Sequence, residues 1–242
     1  MKTVVIIQAR MGSSRLPGKV LTDICGRPML DRVISRVRSA LTPDDVVVAT
    51  STEPGDDQLY AAAEQYGWRC FRGSHLDVLD RYYQTAKQLS PDIVVRVTAD
   101  CPVIDAALID QVARKLLEAD GRLDYVSNTL EPRTFPRGLD VEAFTFEALE
   151  RTWREARDES CREHVTPWIY RNPGLFRTRG IVNSEDLSGY RWTVDTPEDM
   201  QLVRSIFAHF SGRDFGWRDI LQAYAEHAEW QQFNSHIQQK AA

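Results

Sequence analysis

Cysteines are few in this sequence, and none lies in a zinc-binding pattern. The four cysteines stand at positions 25, 70, 101 and 161, and no two of them form the C-x-x-C pair that is typical of structural zinc sites. A disulfide scaffold is not expected in a chain of 242 residues with this spacing. We therefore expect free thiols in a reducing, cytoplasmic environment.

Long apolar runs are also missing. No stretch approaches the roughly 20 consecutive apolar residues that a membrane-spanning helix needs, so we expect no membrane span. The apolar run at 4–7 is much shorter than the core of a signal peptide, and Arg10 follows it closely. A buried first strand explains this run better.

The chain has no excess of basic residues. It contains 30 Lys and Arg against 35 Asp and Glu, which gives a net charge of -5. Because a duplex-binding domain usually carries a basic excess, we expect no nucleic-acid partner. Hydrophobic residues make up 43% and charged residues 27%, as in ordinary soluble globular proteins. No linker rich in Pro, Gly or Ser divides the sequence, so one domain is predicted.

What the chain does contain is an alternation of strand and helix patterns. Predicted strands lie at 4–7, 46–49, around 70 and at 93–97, and predicted helices at 28–37, 57–66, about 76–89 and 106–117. This order predicts an α/β fold, a doubly wound and mainly parallel sheet. After Tyr125 the pattern changes. A half-exposed strand is predicted at 139–143, further strands at 176–182 and 190–194, and helices at 146–157, 197–206 and 217–230.

A loop rich in glycine, serine and basic residues follows the first strand. Its sequence is QARMGSSRLPGK, with the cations Arg10, Arg15 and Lys19. Glycines allow backbone N–H groups to approach a ligand closely, and open α/β sheets bind ligands at the carboxyl ends of their strands. The spacing fits neither the Walker A motif nor G-x-G-x-x-G. The loop nevertheless predicts a site for the phosphates of a nucleoside triphosphate. The alternative is a solvated basic turn.

Two aspartates are predicted at the same edge of the sheet. Asp100 follows a strand in RVTADCP, and Asp195 follows a strand in RWTVDTPED. Mg²⁺ prefers hard oxygen ligands, so we expect these carboxylates to hold Mg²⁺ and to lie within roughly 4–7 Å of each other. We also expect Asn at either position to keep or raise thermal stability by relieving like-charge repulsion. The alternative for Asp100 is a helix N-cap.

The second half of the chain contains candidate contacts for an acceptor. Asp140 and Glu142 stand two apart on a predicted strand, so both project from one face. Arg137 precedes them, and Glu163 and His164 lie in CREHVTPWIY. The alternatives are a solvated strand face and a hydrogen-bonded structural histidine.

Five motifs together resemble a known family. They are IIQARMGSSRLPGK, RVTADCPVID, RGLDVE, EHVTPWIY and WTVDTPED. The chain resembles cytidylyltransferases of the spore coat polysaccharide biosynthesis protein F type, and through them the synthetases that activate octulosonate and acylneuraminate sugar acids with CTP. The resemblance implies the nucleotide-diphospho-sugar transferase fold, an α/β/α sandwich with a mainly parallel sheet. We divide this single domain, 1–242, into a nucleotide-binding half (about 1–125), an acceptor-binding half (about 126–210) and a helical tail (211–242).

The resemblance also implies roles for individual residues. The predicted nucleotide-binding set is Ala9, Arg10, Gly12, Ser13, Ser14, Arg15 and Lys19. The predicted catalytic residues are Arg10, Lys19 and Asp100, and the predicted metal ligands are Asp100 and Asp195. The reaction expected is attack of an acceptor oxygen on the α-phosphorus of CTP, with release of pyrophosphate. The expected acceptor is a sugar acid or a sugar phosphate for a surface polysaccharide, and a homodimer is expected.

Two other functions compete with this one. A glycosyltransferase of the same general fold would use a nucleotide sugar, with a metal held by the D-x-E pattern of Asp140 and Glu142. A subunit that only senses nucleotides would need no catalysis, but the intact cationic loop and both aspartates argue against it. A separate expectation concerns the position of Lys19. It is expected to be an exposed side chain of the loop after the first strand, so its removal should hardly change the free energy of unfolding.

Overall fold

The computed structural model describes residues 1–238. The predicted helical tail at 211–242 extends four residues past this range, and those four residues lie outside the described part of the chain. Within the described chain, no helix has the length and hydropathy that crossing a membrane would require.

The centre of the fold is a seven-stranded sheet. Its strands are β1 (Thr3–Gln8), β4 (Asp45–Ser51), β5 (Cys70–Gly73), β6 (Ile93–Thr98), β7 (Tyr125–Ser127), β8 (Glu142–Thr145) and β9 (Thr178–Gly180). Strands β2 (Asp23–Ile24) and β3 (Arg27–Pro28) form a separate small hairpin. The large sheet has the order β5-β4-β1-β6-β8-β7-β9. Strand β8 runs antiparallel to β6 and β7, while the other pairs are parallel. The predicted α/β fold with a mainly parallel sheet is therefore confirmed.

Ten helices cover this sheet within the described chain. They are α1 (Met29–Arg38), α2 (Asp57–Tyr66), α3 (Val78–Leu89), α4 (Ala106–Leu117), α5 (Phe146–Glu155), α6 (Glu159–His164), α7 (Pro167–Arg171), α8 (Pro197–His209), α9 (Trp217–Glu226) and α10 (Trp230–Asn234). Helix ends follow local chemistry. Asp105 accepts hydrogen bonds from the first N–H groups of α4, and Thr196 caps α8 in a capping box with Pro197 in its first turn.

The two faces of the sheet form two separate cores. In β1, Val5 and Ile7 pack into the core that contains α1, α4 and α8. Val4 and Ile6 point the other way, into the core that contains α3 and α5. All four side chains are fully buried, as expected for a strand in the middle of a parallel sheet covered by helices on both sides. The predicted α/β/α sandwich is confirmed.

The second half of the chain is less regular than predicted. Of the predicted strand at 176–182, only β9 forms. The predicted strand at 190–194 is an extended segment with an isolated bridge between Arg191 and Arg137. The half-exposed strand predicted at 139–143 is wrong, because β8 begins at Glu142 and lies between β6 and β7. Helices then cover both faces of β8, and Glu142 is buried.

Candidate active site

The site lies at the edge of the sheet where β1 and β6 end. Gln8 and Thr98 are paired across these two strands, so the loop after β1 and the turn containing Asp100 leave the sheet side by side. The N–H of Val194 donates to the carbonyl of Asp100 at 2.8 Å, which brings Asp195 to the same place. Segments nearly a hundred residues apart thus meet at one edge, as the sequence predicts for Asp100 and Asp195.

A cavity of about 230 Å³ opens at this edge. Its lining contains all seven predicted nucleotide-binding residues and both predicted metal ligands: Ala9, Arg10, Gly12, Ser13, Ser14, Arg15, Lys19, Asp100 and Asp195, with Gln8, Val20, Thr98 and Ala99. A larger groove of about 630 Å³ lies between α1 and the segment after α8, but other residues line it. The motif residues therefore converge on the smaller cavity.

The loop after β1 is fastened at its base by a residue that the sequence did not single out. The N–H of Met11 donates to Asp56 Oδ1 at 2.6 Å, and the N–H of Gly18 donates to the carbonyl of Met11 at 2.9 Å. Gly18 has a φ of 72°, a left-handed conformation that glycine adopts without strain. Asp56 is buried and also bonds to Ser51. Its only signal in the sequence is a position just past a buried strand.

The rim of the loop presents unused hydrogen-bond donors. Within residues 1–238, the backbone N–H groups of Gly12, Ser13 and Ser14 have no protein acceptor, and all three residues line the cavity. Arg10 is exposed and makes no ion pair in the same range. Successive free N–H groups beside a cation form a concave site for an anion, and a phosphate is the group that such sites typically bind.

Lys19 lies deeper than predicted. Its Nζ is 2.9 Å from Asp195 Oδ1, 3.4 Å from Asp100 Oδ2 and 2.6 Å from the carbonyl of Val194. The side chain is 10% exposed, so the expectation of an exposed loop lysine is wrong. Burial alone would lower the pKa of Lys19, but the two carboxylates outweigh it and the pKa is raised. Lys19 is thus a fixed ammonium between the two predicted metal ligands.

Asp195 is surrounded by positive charge. Besides Lys19, it contacts Arg15 Nη2 at 2.9 Å and Arg191 Nη2 at 2.9 Å. Burial would raise the pKa of Asp195, but Lys19, Arg191 and Arg15 outweigh this, so its pKa lies below the usual value. The carboxylate stays ionised, and the like-charge repulsion expected between Asp100 and Asp195 is already neutralised by cations.

A buried network holds Asp195 in place. Asp199 is fully buried and accepts from Arg191 Nε and from the N–H of Asp195, each at 2.9 Å. The side-chain amide of Asn234, on α10, donates to Asp199 Oδ1 at 2.8 Å and to the carbonyl of Arg191 at 2.9 Å. In the sequence, Asp199 is explained as an acidic residue in the first turn of a helix. Its second role, and that of Asn234, depend on contacts that sequence spacing does not show.

The carboxylate pair fits the chemistry of Mg²⁺. Both side chains line the cavity with part of their surface accessible, 29% for Asp100 and 15% for Asp195. Since both bind one ammonium, their nearest oxygens are less than about 7 Å apart. Thr98 donates to Asp100 Oδ1 at 2.5 Å and leaves Oδ2 facing Lys19. Neighbouring Cys101 is buried, and burial raises the pKa of its thiol well above the usual value, so the donors at this point are hard oxygens.

The predicted acceptor residues do not form one group. Arg137 lies against the extended segment before Asp195, through the N–H of Arg137 to the carbonyl of Tyr190 at 3.0 Å. Asp140 is partly exposed and paired with Arg133. Glu142 is buried beneath the site, where one carboxylate oxygen pairs with Arg96 and the other accepts from Tyr125 at 2.7 Å. This corrects the expectation that Asp140 and Glu142 share one open face.

The last two acceptor candidates lie elsewhere. Glu163 and His164 are on α6, which packs against α3 on the far side of the sheet from α4 and α8. In the described chain, neither side chain bonds to a residue that lines the cavity. The structure therefore does not place Glu163 and His164 at the nucleotide site, and their contact with an acceptor stays a prediction.

We expect Gly138→Ala to disturb the site through its backbone. Gly138 has a φ of 102°, and a Cβ there would lie 2.5 Å from the nitrogen of Thr193 and from the carbonyl carbon of Trp192. We expect a loss of about 2–4 kcal/mol in the free energy of unfolding, measured by urea titration. Gly174→Ala is the matched control, because no described residue lies within 4 Å of its Cβ position. Equal stability of the two variants would contradict the close approach.

Asp195→Asn is expected to lower stability, contrary to the expectation from sequence. Three cations lose an ionised partner, and after solvent screening the loss should be about 1 kcal/mol at pH 7. Because the pKa of Asp195 is lowered on folding, its contribution is complete above about pH 4 and disappears as the pH falls through the folded value. Urea unfolding of both proteins from pH 7 to pH 3 should show the difference shrinking. A difference that persists unchanged at pH 3 would contradict an electrostatic origin.

Comparison with known proteins decides the family. The profile of the family described as cytidylyltransferase matches residues 4–231. This chain belongs to the cytidylyltransferase family. Spore coat polysaccharide biosynthesis protein SpsF of Bacillus subtilis is 34% identical over 84% of this chain and 85% of that protein. The 3-deoxy-manno-octulosonate cytidylyltransferase of Agrobacterium fabrum is 37% identical over 86% of this chain and 96% of that protein.

Solved structures agree with the assignment of this enzyme to the cytidylyltransferase family. A cytidylyltransferase from Leptospira borgpetersenii has a TM-score of 0.91 and 34% identity, with 100% of both chains covered. The structure of CMP:2-keto-3-deoxy-manno-octonic acid synthetase complexed with CTP has a TM-score of 0.67 and 21% identity, over 86% of this chain and 99% of that chain. The second likeness shows a shared fold. The resemblance inferred from the five motifs is confirmed, and the chain is a nucleotidyltransferase.

Proposed function

We propose that this enzyme transfers CMP from CTP to an oxygen of a sugar acid or sugar phosphate and releases pyrophosphate. The observation that carries the proposal is the cavity that brings together Arg10, Asp100, Asp195 and loop N–H groups that have no protein acceptor within residues 1–238. CTP is supported by the family of the chain and by the cytidylyltransferase activity named for its relatives.

Binding and orientation of the triphosphate fall to the loop after β1. The N–H groups of Gly12, Ser13 and Ser14 and the guanidinium of Arg10 would bind the β- and γ-phosphates, while Ala9 packs on the nucleotide. Arg15 and Lys19 add positive charge at the inner end of the cavity. These groups are fixed before the substrate arrives, so they can offset the charge that builds on departing pyrophosphate without reorganising.

The metal and the acceptor complete the proposed site. Asp100 and Asp195 would hold Mg²⁺, which when bound supplies positive charge to the phosphates and polarises an oxygen. Arg137 makes no ion pair within residues 1–238, and burial and nearby Arg133 lower its pKa. Such an incompletely paired guanidinium would hold an acidic acceptor, the carboxylate of a sugar acid or a phosphate. Asp140 would bind its hydroxyl groups.

The remaining features of the proposal extend beyond the cavity. Glu163 and His164 stay in the proposed acceptor set, although α6 places them outside the lining of the cavity. A product for surface polysaccharide is supported by the name of the Bacillus subtilis relative. We also propose a homodimer, which light scattering of the purified protein would test.

The glycosyltransferase alternative fits the structure less well. It needs a metal on Asp140 and Glu142, but Glu142 is buried beneath the site, does not line the cavity and shares no open face with Asp140. Glu142 is also the ion-pair partner of Arg96. A metal bound to the buried Glu142 would take this partner from Arg96, and leaving a buried charge unpaired is costly.

The decisive experiment is a screen of the four nucleoside triphosphates against a panel of sugar acids and sugar phosphates, with pyrophosphate release as the readout. CTP should be preferred, because a pocket that hydrogen-bonds one base edge rejects bases that leave its polar groups unpaired. Arg10→Gln should reduce the rate, and Arg218→Gln, an exposed arginine on α9, should not. Equal rates with UTP would remove the cytidylyl part of the proposal, and no pyrophosphate with any pair would overturn it.

A further inference from the structure

A group of side chains of the kinds that ligate metals lies outside the five motifs, in the C-terminal region. We call His209, Glu226, His227 and Glu229 the C-terminal histidine cluster. His209 ends α8, and Glu226 ends α9 with His227 next to it. His209 Nδ1 and His227 Nε2 are 3.0 Å apart. One ligand atom from each of His209, Glu226 and His227 lies within 4.8 Å of the other two.

Glu229 orients one of the imidazoles. Its Oε1 lies 3.1 Å from His227 Nδ1. Because a carboxylate only accepts hydrogen bonds, His227 Nδ1 is the donor in this contact, and Nε2 is the ring nitrogen that faces His209. A carboxylate that holds the outer nitrogen of a histidine is the usual support of a metal-bound imidazole. Trp230 stacks on His227 with ring centroids 4.6 Å apart, which fixes the plane of the ring.

The charges around the cluster also favour a cation. The carboxyl ends of α8 and α9 meet there, and each carries partial negative charge from its unpaired carbonyls. Glu226 is exposed and forms no ion pair with a lysine or arginine of the described chain. The cluster therefore brings together two ring nitrogens, one unpaired carboxylate and two helix ends of the same sign.

We propose that the C-terminal histidine cluster binds Zn²⁺ through His209 Nδ1, His227 Nε2 and the carboxylate of Glu226. Two imidazoles with one carboxylate suit Zn²⁺, whereas Mg²⁺ prefers oxygen ligands and water. Two Zn–N bonds of about 2.0–2.1 Å at a tetrahedral angle place the nitrogens about 3.3 Å apart, close to the 3.0 Å observed. Three protein ligands leave the fourth position to water.

The ion would join elements that reach the active site. It would tie the end of α8 to the end of α9, one short turn before α10. Helix α10 carries Asn234, which bonds to Asp199 and to the carbonyl of Arg191 beneath Asp195. Zn²⁺ at this point would therefore stabilise the packing of the tail, and it differs in ligands and position from the Mg²⁺ proposed at Asp100 and Asp195.

The test uses the full chain, freed of metal with a chelator and then held in excess Mg²⁺ without nucleotide. Zn²⁺ is titrated against a chromophoric chelator. We expect one equivalent bound with a Kd of about 1 μM or lower. At a hundredfold excess over Kd, the melting temperature should rise by about 5–10 °C. Co²⁺ in place of Zn²⁺ should give the visible absorption of a four-coordinate nitrogen and oxygen site.

Variants locate the binding. His227→Gln and His209→Gln should each lose the equivalent of Zn²⁺ and the Co²⁺ absorption. His236→Gln, an exposed histidine of the same region, and Asp195→Asn should both keep them. Absence of tight Zn²⁺ binding by the unaltered chain would overturn the proposal and leave an imidazole–imidazole hydrogen bond, whatever the folding of the variants. Undiminished binding by folded His227→Gln would overturn it equally.

Discussion

Lys19→Met is expected to lower the rate of pyrophosphate release by about 10²- to 10³-fold, the usual effect of removing a preorganised charge from a site that excludes water. The lysine is held by Asp100, Asp195 and the carbonyl of Val194, so its ammonium needs no ordering when the substrate binds. Methionine keeps the length and apolar contacts of the side chain and removes the charge. Steady-state rates with saturating CTP and Mg²⁺ measure the effect.

The control for this variant is Lys115→Met, because Lys115 is exposed on α4 and should leave the rate unchanged. Loss of Lys19 also leaves two carboxylates facing each other, so the melting temperature should fall. Rates are therefore compared well below the melting temperature of the variant, with circular dichroism confirming the fold. Normal turnover and normal CTP affinity in Lys19→Met would show that the triphosphate does not bind at this loop.

Asp199→Ala is expected to lower the free energy of unfolding by about 3–5 kcal/mol, the usual cost of removing one partner of a buried ion pair. Asp199 is fully buried and accepts from Arg191, from the N–H groups of Asp195 and Thr196, and from Asn234. Alanine removes the carboxylate that these donors share, although Arg191 keeps its contact with Asp195 and Asn234 keeps its bond to the carbonyl of Arg191. Urea unfolding at pH 7 measures the loss, and kcat should fall as well because Asp195 is no longer held.

Glu198→Ala is the matched control for Asp199→Ala. Glu198 lies in the same first turn of α8, but its carboxylate reaches solvent, so its removal should change stability much less. Asp199→Asn should fall between the two, since the amide oxygen still accepts a hydrogen bond although the charge is gone. If the alanine variants at 198 and 199 were equally stable, the buried network would not be holding Asp195.

Local patterns in the sequence predicted the first half of the fold well. Helices α2 and α4 form at the predicted residues, 57–66 and 106–117, because an apolar stripe at helical spacing and the residues at each end both act within one segment. Strand β1 was predicted from its apolar run for the same reason. After β7 the prediction failed more often, since short strands such as β9 owe their pairing to distant neighbours rather than to their own residues.

The sequence predicted which residues line the site, but not how their side chains contact one another. The family, the cationic loop and the two aspartates follow from residue types placed just after strands, because parallel strands deliver those residues to one edge. Asp56 and Asn234 were missed, since each acts through a hydrogen bond to a distant part of the chain. No spacing rule connects residues that meet only after folding.

What the sequence by itself determined is the set of charged and donor groups, and the order in which strands and helices deliver them. Only the tertiary structure decided which of these charges neutralise one another. Lys19 became a buried ammonium between Asp100 and Asp195, and Glu142 became the partner of Arg96 instead of an open ligand. The physical reason is that an ionised group is buried at low cost only where an opposite charge and hydrogen bonds replace its contacts with water. Those partners come from segments far apart in the chain.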